Sequence, residues 1–306
     1  MTRLSRESDR YYIDMSFVEA LNSKDFVVTA HMNLAEVPDK ASLLRGAEIL
    51  ESSVDAVHLP DSTQMHISGI AAAAILQQQG LDPIVHLNCR DRNRIALHKD
   101  VTGIAALGLT SVLIMRGKKI LDDKNQGVRA VFDIPALDFM AYVQELKNDD
   151  ESALLDNNFF LGALAELFDP DPEWIPKNLI RKCEAGVNFV QTQVCFDMDI
   201  ARNYMSRIVA SKLTYKTRFM LALAPLPSAN VARWVQDNVE GAIVPNTIVD
   251  RLAQAADPER EGIQICAELM REMAAIPGVS GVNLHKFGAL DAIPAAISAA
   301  GLGGDS

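Results

Sequence analysis

Eight short runs rich in Val, Ile, Leu and Phe recur along this chain, and each is followed by a segment of helical period. The runs are Val27–Met32, Ala56–Leu59, Ile84–Asn88, Val112–Arg116, Phe159–Ala165, Phe189–Gln193, Phe219–Ala224 and Val282–Phe287. They are apolar almost throughout rather than at alternate positions, the pattern of strands buried on both faces. Helical patterns cover Ala41–Ser52, Gln64–Gln79, Arg94–Leu107, Pro135–Lys147, Trp174–Glu184, Asp197–Ser211, a longer region Ser228–Ala275, and Leu290–Ala299. Gly80, Gly108 and Gly186 stand where helix C-caps are expected. Eight such βα units predict an α/β fold, a single-domain (β/α)8 TIM barrel. The competing doubly wound sheet usually carries a glycine-rich turn after its first strand, and no G-x-G-x-x-G occurs here. The expected division is an N-terminal extension and leading helix over 1–24, the barrel over 25–301, and a tail over 302–306.

A chain of 306 residues at 49% hydrophobic can bury a core of that size. A formal net charge of −11 argues against a nucleic-acid partner, which needs a basic face, yet leaves room for a small anion held by local cations. Cys89, Cys183, Cys195 and Cys266 show no C-x-x-C spacing, and no secretory leader is read, so a reduced cytoplasmic protein with inert thiols is expected. No apolar run approaches the ~18 residues of a membrane helix, so no membrane partner is expected either.

In a (β/α)8 barrel the active site lies at the C-terminal ends of the strands. Those ends here carry His31, His86, Asn88, Arg90, Arg116, Lys118, Gln191, Gln193, His285 and Lys286. Any one of them can serve only to satisfy a loop backbone; their concentration on most of the eight strands points to a polar mouth. There is no H-E-x-x-H, no Asp/Glu/His cluster at ligand spacing, no G-x-S-x-G and no P-loop, so no metal is expected. Nothing in the spacing pairs Cys195 with His285 as a nucleophile and base. The residues by themselves describe a barrel whose mouth suits an anionic, hydrogen-bond-rich ligand.

Three stretches carry a resemblance. HLNCRDRNR (His86–Arg94) with ALGLTSVLIMRG (Ala106–Gly117), NLIRKCEAGVNFVQTQVCFD (Asn178–Asp197) and GVSGVNLHKF (Gly278–Phe287) resemble the third and fourth strands, the fifth helix with sixth strand, and the closing strand of methylenetetrahydrofolate reductases. The similarity spans roughly residues 25–300 and is nearest to short bacterial forms without a regulatory domain. It implies a flavin-binding barrel in which hydride passes from NADH or NADPH to FAD and then to 5,10-methylenetetrahydrofolate, giving 5-methyltetrahydrofolate. It further implies that His86, Arg116 and Gly117 lie along the flavin. Asn178, Arg181 and Lys182 would hold the flavin ribose and pyrophosphate, where two consecutive cations can neutralise a diphosphate. Gln193 matches the glutamine that bonds the pterin. A tetrahydrofolate partner and a homo-oligomer are expected.

The chain departs from that family where the chemistry lies. The glutamate that ends the first strand and protonates the folate N10 is replaced by His31, and the aspartate after the fourth-strand Arg-Gly by Lys118. Glu166–Leu167 stand where Asn-Pro or Tyr-Pro is common. An imidazole can give or take a proton near neutrality. A cation by the flavin would favour its anionic reduced form and make it more oxidising. His31 and Lys118 are therefore the expected catalytic positions of an enzyme biased toward oxidising the methyl form. The alternative is a folate-binding methyl-transfer or partner-dependent barrel that has lost reductase activity. The loop Lys118–Asp133 is the longest over the mouth, and its Lys119, Lys124 and Arg129 are candidates for a folate glutamate tail, against the plainer reading of a solvated loop.

Overall fold

The computed structural model describes residues 15–62, 64, 67–120, 127–148, 155 and 159–302. Eight strands, β1 Val27–His31, β2 Ala56–Leu59, β3 Pro83–Asn88, β4 Ser111–Met115, β5 Phe160–Ala165, β6 Phe189–Val194, β7 Arg218–Leu223 and β8 Val279–Leu284, pair in chain order. All ladders are parallel, and β8 returns to β1 with Val28 opposite Val282, closing the barrel. The chain is a (β/α)8 TIM barrel, as its pattern predicts. No helix among the described residues is long and apolar enough to cross a membrane.

Helices α1 Phe17–Ser23, α2 Lys40–Leu50, α3 Gly69–Gln77, α4 Arg94–Ala106, α5 Ala136–Asn148, α6 Lys177–Glu184 and α7 Met198–Ala210 precede β7. Beyond it lie α8 Ala229–Asn238, α9 Asn246–Gln254, α10 Pro258–Ala274 and, after β8, α11 Ala292–Ala300. The single helical region expected over Ser228–Ala275 is thus three helices. Gly241 at φ +77°, Pro245 before α9 and Pro258 opening α10 punctuate it. The last strand also begins three residues earlier than expected. Gly278, at φ +87°, ends the preceding turn and lets Val279 enter the ladder opposite Phe219, so His285 lies just beyond the strand rather than within it.

Most apolar burial lies between the strands' outer faces and the helices. A second, smaller cluster fills the lower barrel: Val27, Ala56, Ile84, Leu113, Phe189 and Met220 point inward and meet Phe17 of α1. Phe17 edges onto Phe189 at 5.1 Å and Phe160 at 6.1 Å, so α1 closes the N-terminal end of the barrel. Ser16 caps α1 in a reciprocal box with Glu19, and the Phe17 N–H donates to Asp82 at 2.6 Å, anchoring the plug below β3. Two strand glycines make room for this layer. A Cβ on Gly162 would lie 2.2 Å from the Phe189 ring, and one on Gly281 would lie 2.9 Å from the Met220 sulfur.

Candidate functional site

Above that apolar floor the inward positions turn polar. Strand side chains alternate faces, so two steps along β1 from Val27 stands Thr29 and two further His31; likewise Ala56 is followed by His58, and Ile84 by His86 and Asn88. Gln191 follows Phe189 in the same way, and Asn283 and His285 follow Gly281; beyond Gln191 the β6–β7 register shifts before Val194, so alternation does not carry on to Gln193. The β1–β2 register sets His31 beside His58. The upper barrel therefore holds four of the chain's six histidines. Leu164, two positions beyond Gly162, is 36% exposed and marks the opening to solvent.

The four rings form one cluster. His31 stacks on His285 with centroids 4.2 Å apart and planes 11° from parallel, and lies 5.8 Å from His86. His86 Nε2 and His58 Nδ1 are 2.9 Å apart, sharing one hydrogen between them. Asn283 donates through Nδ2 to His285 Nε2 at 3.2 Å and accepts from the Thr29 hydroxyl at 3.1 Å. Burial lowers the pKa of every ring. For His31 and His58 the value falls well below 6.5, first through burial and then through the neighbouring imidazoles; His86 comes down to about 3 and His285 to about 4. No carboxylate among the described residues acts on any of the four. Burial and the neighbouring rings thus favour the neutral imidazoles, so the cluster offers hydrogen-bond donors and acceptors rather than fixed charge. His58 Nε2, His86 Nδ1, Asn88 Nδ2 and Gln191 Oε1 are buried without a partner, which leaves both donors and acceptors for a bound molecule. No group of three or more His, Cys, Asp or Glu among the described residues is arranged to hold a metal ion.

The remaining expected positions lie around this cluster. Gln193 is half-buried, accepts from the Leu167 N–H at 3.0 Å and is roofed by Gly241. Gly117, at φ +84°, passes so close to β3 that a Cβ would lie 2.7 Å from that of Arg90. Buried Arg90 holds the loops together: it grips Asp91 through two bonds and donates to the carbonyls of Ser62 and Lys118. It is a structural cation rather than a free one. Arg116 is exposed and covers the Phe132 ring at 4.9 Å. Lys118 does not join the histidines; its ammonium pairs with Glu240 at 3.0 Å on the exposed rim. In the mouth loop, Val131 donates to the Arg90 carbonyl, while Lys124 lies outside the described residues.

Asn178 and Lys182 line a separate cleft of about 540 Å³ beyond the end of β5. Phe168, Trp174 and Tyr204 form its aromatic wall, with Glu166 alongside. Lys182 reaches under it to donate to the Leu164 carbonyl at 2.5 Å, and burial lowers its pKa. Arg181, exposed on the same helix, does not line this cleft. Cys195 is no nucleophile: its thiol donates to the Asp197 carbonyl, and burial pushes its pKa up to about 12.

His58 and Asn283 escaped a search confined to strand ends, since each lies one layer deeper. The signal that finds them is the alternation of inward positions once the strands are placed.

Comparison with known proteins supplies the context. The family model described as methylenetetrahydrofolate reductase matches residues 41–299. A Caenorhabditis elegans protein described as probable methylenetetrahydrofolate reductase (NADPH) is 27% identical over 146 residues, which is 45% of this chain but only 20% of that relative. An uncharacterized Clostridium thermocellum protein, whose structure is described as binding two copies of 5-methyl-5,6,7,8-tetrahydrofolic acid, superposes with a TM-score of 0.60 over 92% of this chain and 95% of its own, at 16% identity.

Proposed function

Because this chain belongs to the methylenetetrahydrofolate reductase family, we propose that it interconverts 5,10-methylenetetrahydrofolate and 5-methyltetrahydrofolate, biased toward oxidation of the methyl form. The match over 41–299 carries this reading, and the folate described in the Clostridium thermocellum neighbour is consistent with it.

The pterin is placed at the barrel mouth, over His31 and within reach of Gln193. The cleft lined by Asn178 and Lys182 suits a phosphorylated, ring-bearing cofactor: it offers an amide, an ammonium and aromatic walls. FAD is the cofactor proposed there; Arg181, exposed on the same helix outside the cleft lining, is the second cation that the family resemblance would assign to it, with Arg116, Gly117 and His86 as the family's flavin-side positions. Bound flavin supplies hydride exchange with the folate carbon, and NADH or NADPH is the proposed electron partner.

Where relatives carry a glutamic acid, this chain carries an imidazole kept neutral by its surroundings. A neutral imidazole is better suited to take the N10 proton than to give one, which supports the oxidising direction. Lys118, exposed in its pairing with Glu240, is proposed to turn toward the reduced flavin and raise its potential.

The test is anaerobic addition of 5-methyltetrahydrofolate to the FAD-loaded protein. Bleaching of the flavin band with formation of methylenetetrahydrofolate is expected. A flavin that neither bleaches with the methyl form nor reoxidises with the methylene form refutes the assignment. An unchanged midpoint potential in Lys118→Asp removes Lys118 from it. The missing carboxylates favour a second reading, a folate-binding barrel without reductase activity, which tight methyltetrahydrofolate binding with no redox change under any donor or acceptor would select.

A further inference from the structure

Asn88 is held on every side at the mouth, yet one half of its amide is unpaired. It closes β3, fully buried, on the same inward face as Ile84 and His86. Its backbone is fixed: the N–H donates to Asp61 at 3.2 Å, and the carbonyl accepts from Arg92 at 3.4 Å. Its side chain is fixed as well. Oδ1 accepts from the Asp91 N–H at 3.1 Å, and a donor there cannot face the amide nitrogen, so the amide has one orientation. Gly117, after β4, packs against it: a Cβ there would lie 3.2 Å from that of Asn88 and 3.3 Å from Oδ1. Nδ2 is therefore a donor of set direction, buried without a partner among the described residues.

Bracing the β3 loop requires only Oδ1. An aspartate would accept from Asp91 equally well, in a loop that already carries Arg90 and Arg92. What the amide adds is the buried donor. Leaving it unpaired costs free energy, which an acceptor on a bound molecule offsets.

We infer that Asn88 donates through Nδ2 to a carbonyl oxygen on the pyrimidine ring of the flavin. This rests on the FAD reading above, which sets His86 and Gly117 beside the flavin; Asn88 follows the first on β3 and touches the second. The acceptors of the flavin ring system lie at its pyrimidine end, and the dimethylbenzene end has none, so a fixed donor decides which end faces β3. The choice among acceptors follows from the redox cycle. On reduction N5 gains a hydrogen and becomes a donor, which would set N–H against an amide that cannot turn. The carbonyl oxygens accept in both states and gain electron density on reduction, so the bond strengthens as the flavin is reduced. Asn88 thus favours the reduced flavin from a buried, fixed position, independently of Lys118 on the exposed rim.

The experiment titrates the full-length apoprotein anaerobically with FAD, oxidised or chemically reduced, in wild type and in Asn88→Asp. The variant keeps an acceptor for the Asp91 N–H and removes only the donor. Its affinity for reduced FAD falls roughly ten- to a hundredfold, and for oxidised FAD by less, so the midpoint potential drops. A merely structural role would weaken both forms equally, and equal losses or no loss overturn the inference. NMR of the wild type with labelled asparagine side chains decides the matter even if the variant does not fold. The Asn88 amide signal moves downfield when FAD binds and further when the flavin is reduced. FAD binding with that signal unmoved overturns the Asn88 assignment alone. A wild-type protein that takes up FAD in neither form sinks the flavin reading, and the assignment with it.

Discussion

Acidification from pH 7 to pH 5 is expected to weaken this barrel, and the buried histidines set the amount. A histidine whose folded pKa lies below its unfolded value binds its proton only when the chain unfolds. Its stability contribution is complete above 6.5 and is lost as the pH falls toward the folded value. For His285 that window runs from 6.5 down to about 4, and for His86 down to about 3. At pH 5 each lies about 1.5 units below 6.5, and at about 1.4 kcal/mol per unit each costs ~2 kcal/mol. Asp82 works in the opposite sense. Burial raises its carboxyl to about 6, so the folded state takes up its proton first and gains stability through the same interval, ~1.4 kcal/mol at pH 5. The two histidines outweigh it, leaving a net loss of about 2–3 kcal/mol, and His31 and His58 add to the loss in the same direction. Urea unfolding followed by circular dichroism at pH 7, 6 and 5 measures it, and His86→Gln should flatten the pH slope by about its own share. Equal unfolding free energies at pH 7 and 5, or a more stable protein at pH 5, would refute the claim that these rings are held neutral.

Phe17→Ala removes the plug under the barrel and should cost roughly 3–5 kcal/mol in the same unfolding assay, because the ring is fully buried against Phe160 and Phe189. Gly117→Ala combines a positive φ with a 2.7 Å approach to Arg90, and a loss of about 1–3 kcal/mol is expected; a neutral result would mean the loop moves freely there. Lys182→Met should weaken FAD binding by roughly ten- to a hundredfold in equilibrium dialysis, the worth of one charge-assisted contact to phosphate. Unchanged affinity would place the pyrophosphate away from α6.

The one-dimensional pattern determined the barrel, because strands covered by helices outside and by packed side chains in the lower interior are apolar over most of their length. Val112–Arg116 and Ile84–Asn88 could be placed to within a residue from that alone. It also brought out His31, His86 and His285 at or near strand ends, and the folded chain sets these three rings in one cluster. The punctuation of the Ser228–Ala275 region was harder to place, since Gly241 and Pro245 interrupt helical periodicity without erasing it.

Only the tertiary structure decided what the polar residues do. Arg90 and Arg116 look alike in sequence, yet one is buried as a brace between loops and the other lies exposed over Phe132, a difference set by which neighbours the β3 and β4 loops bring. Lys118 could be counted as a cation of the mouth, but its pairing with Glu240 depends on how the segment after α8 crosses the rim. His58 became part of the site through barrel register, which places residues 27 positions apart side by side on β1 and β2. The charge state of His31 likewise depends on the fold: an isolated imidazole titrates near neutrality, but enclosed in the barrel and stacked on His285 it is held toward its neutral form, because burial and the neighbouring rings both act against the charged one.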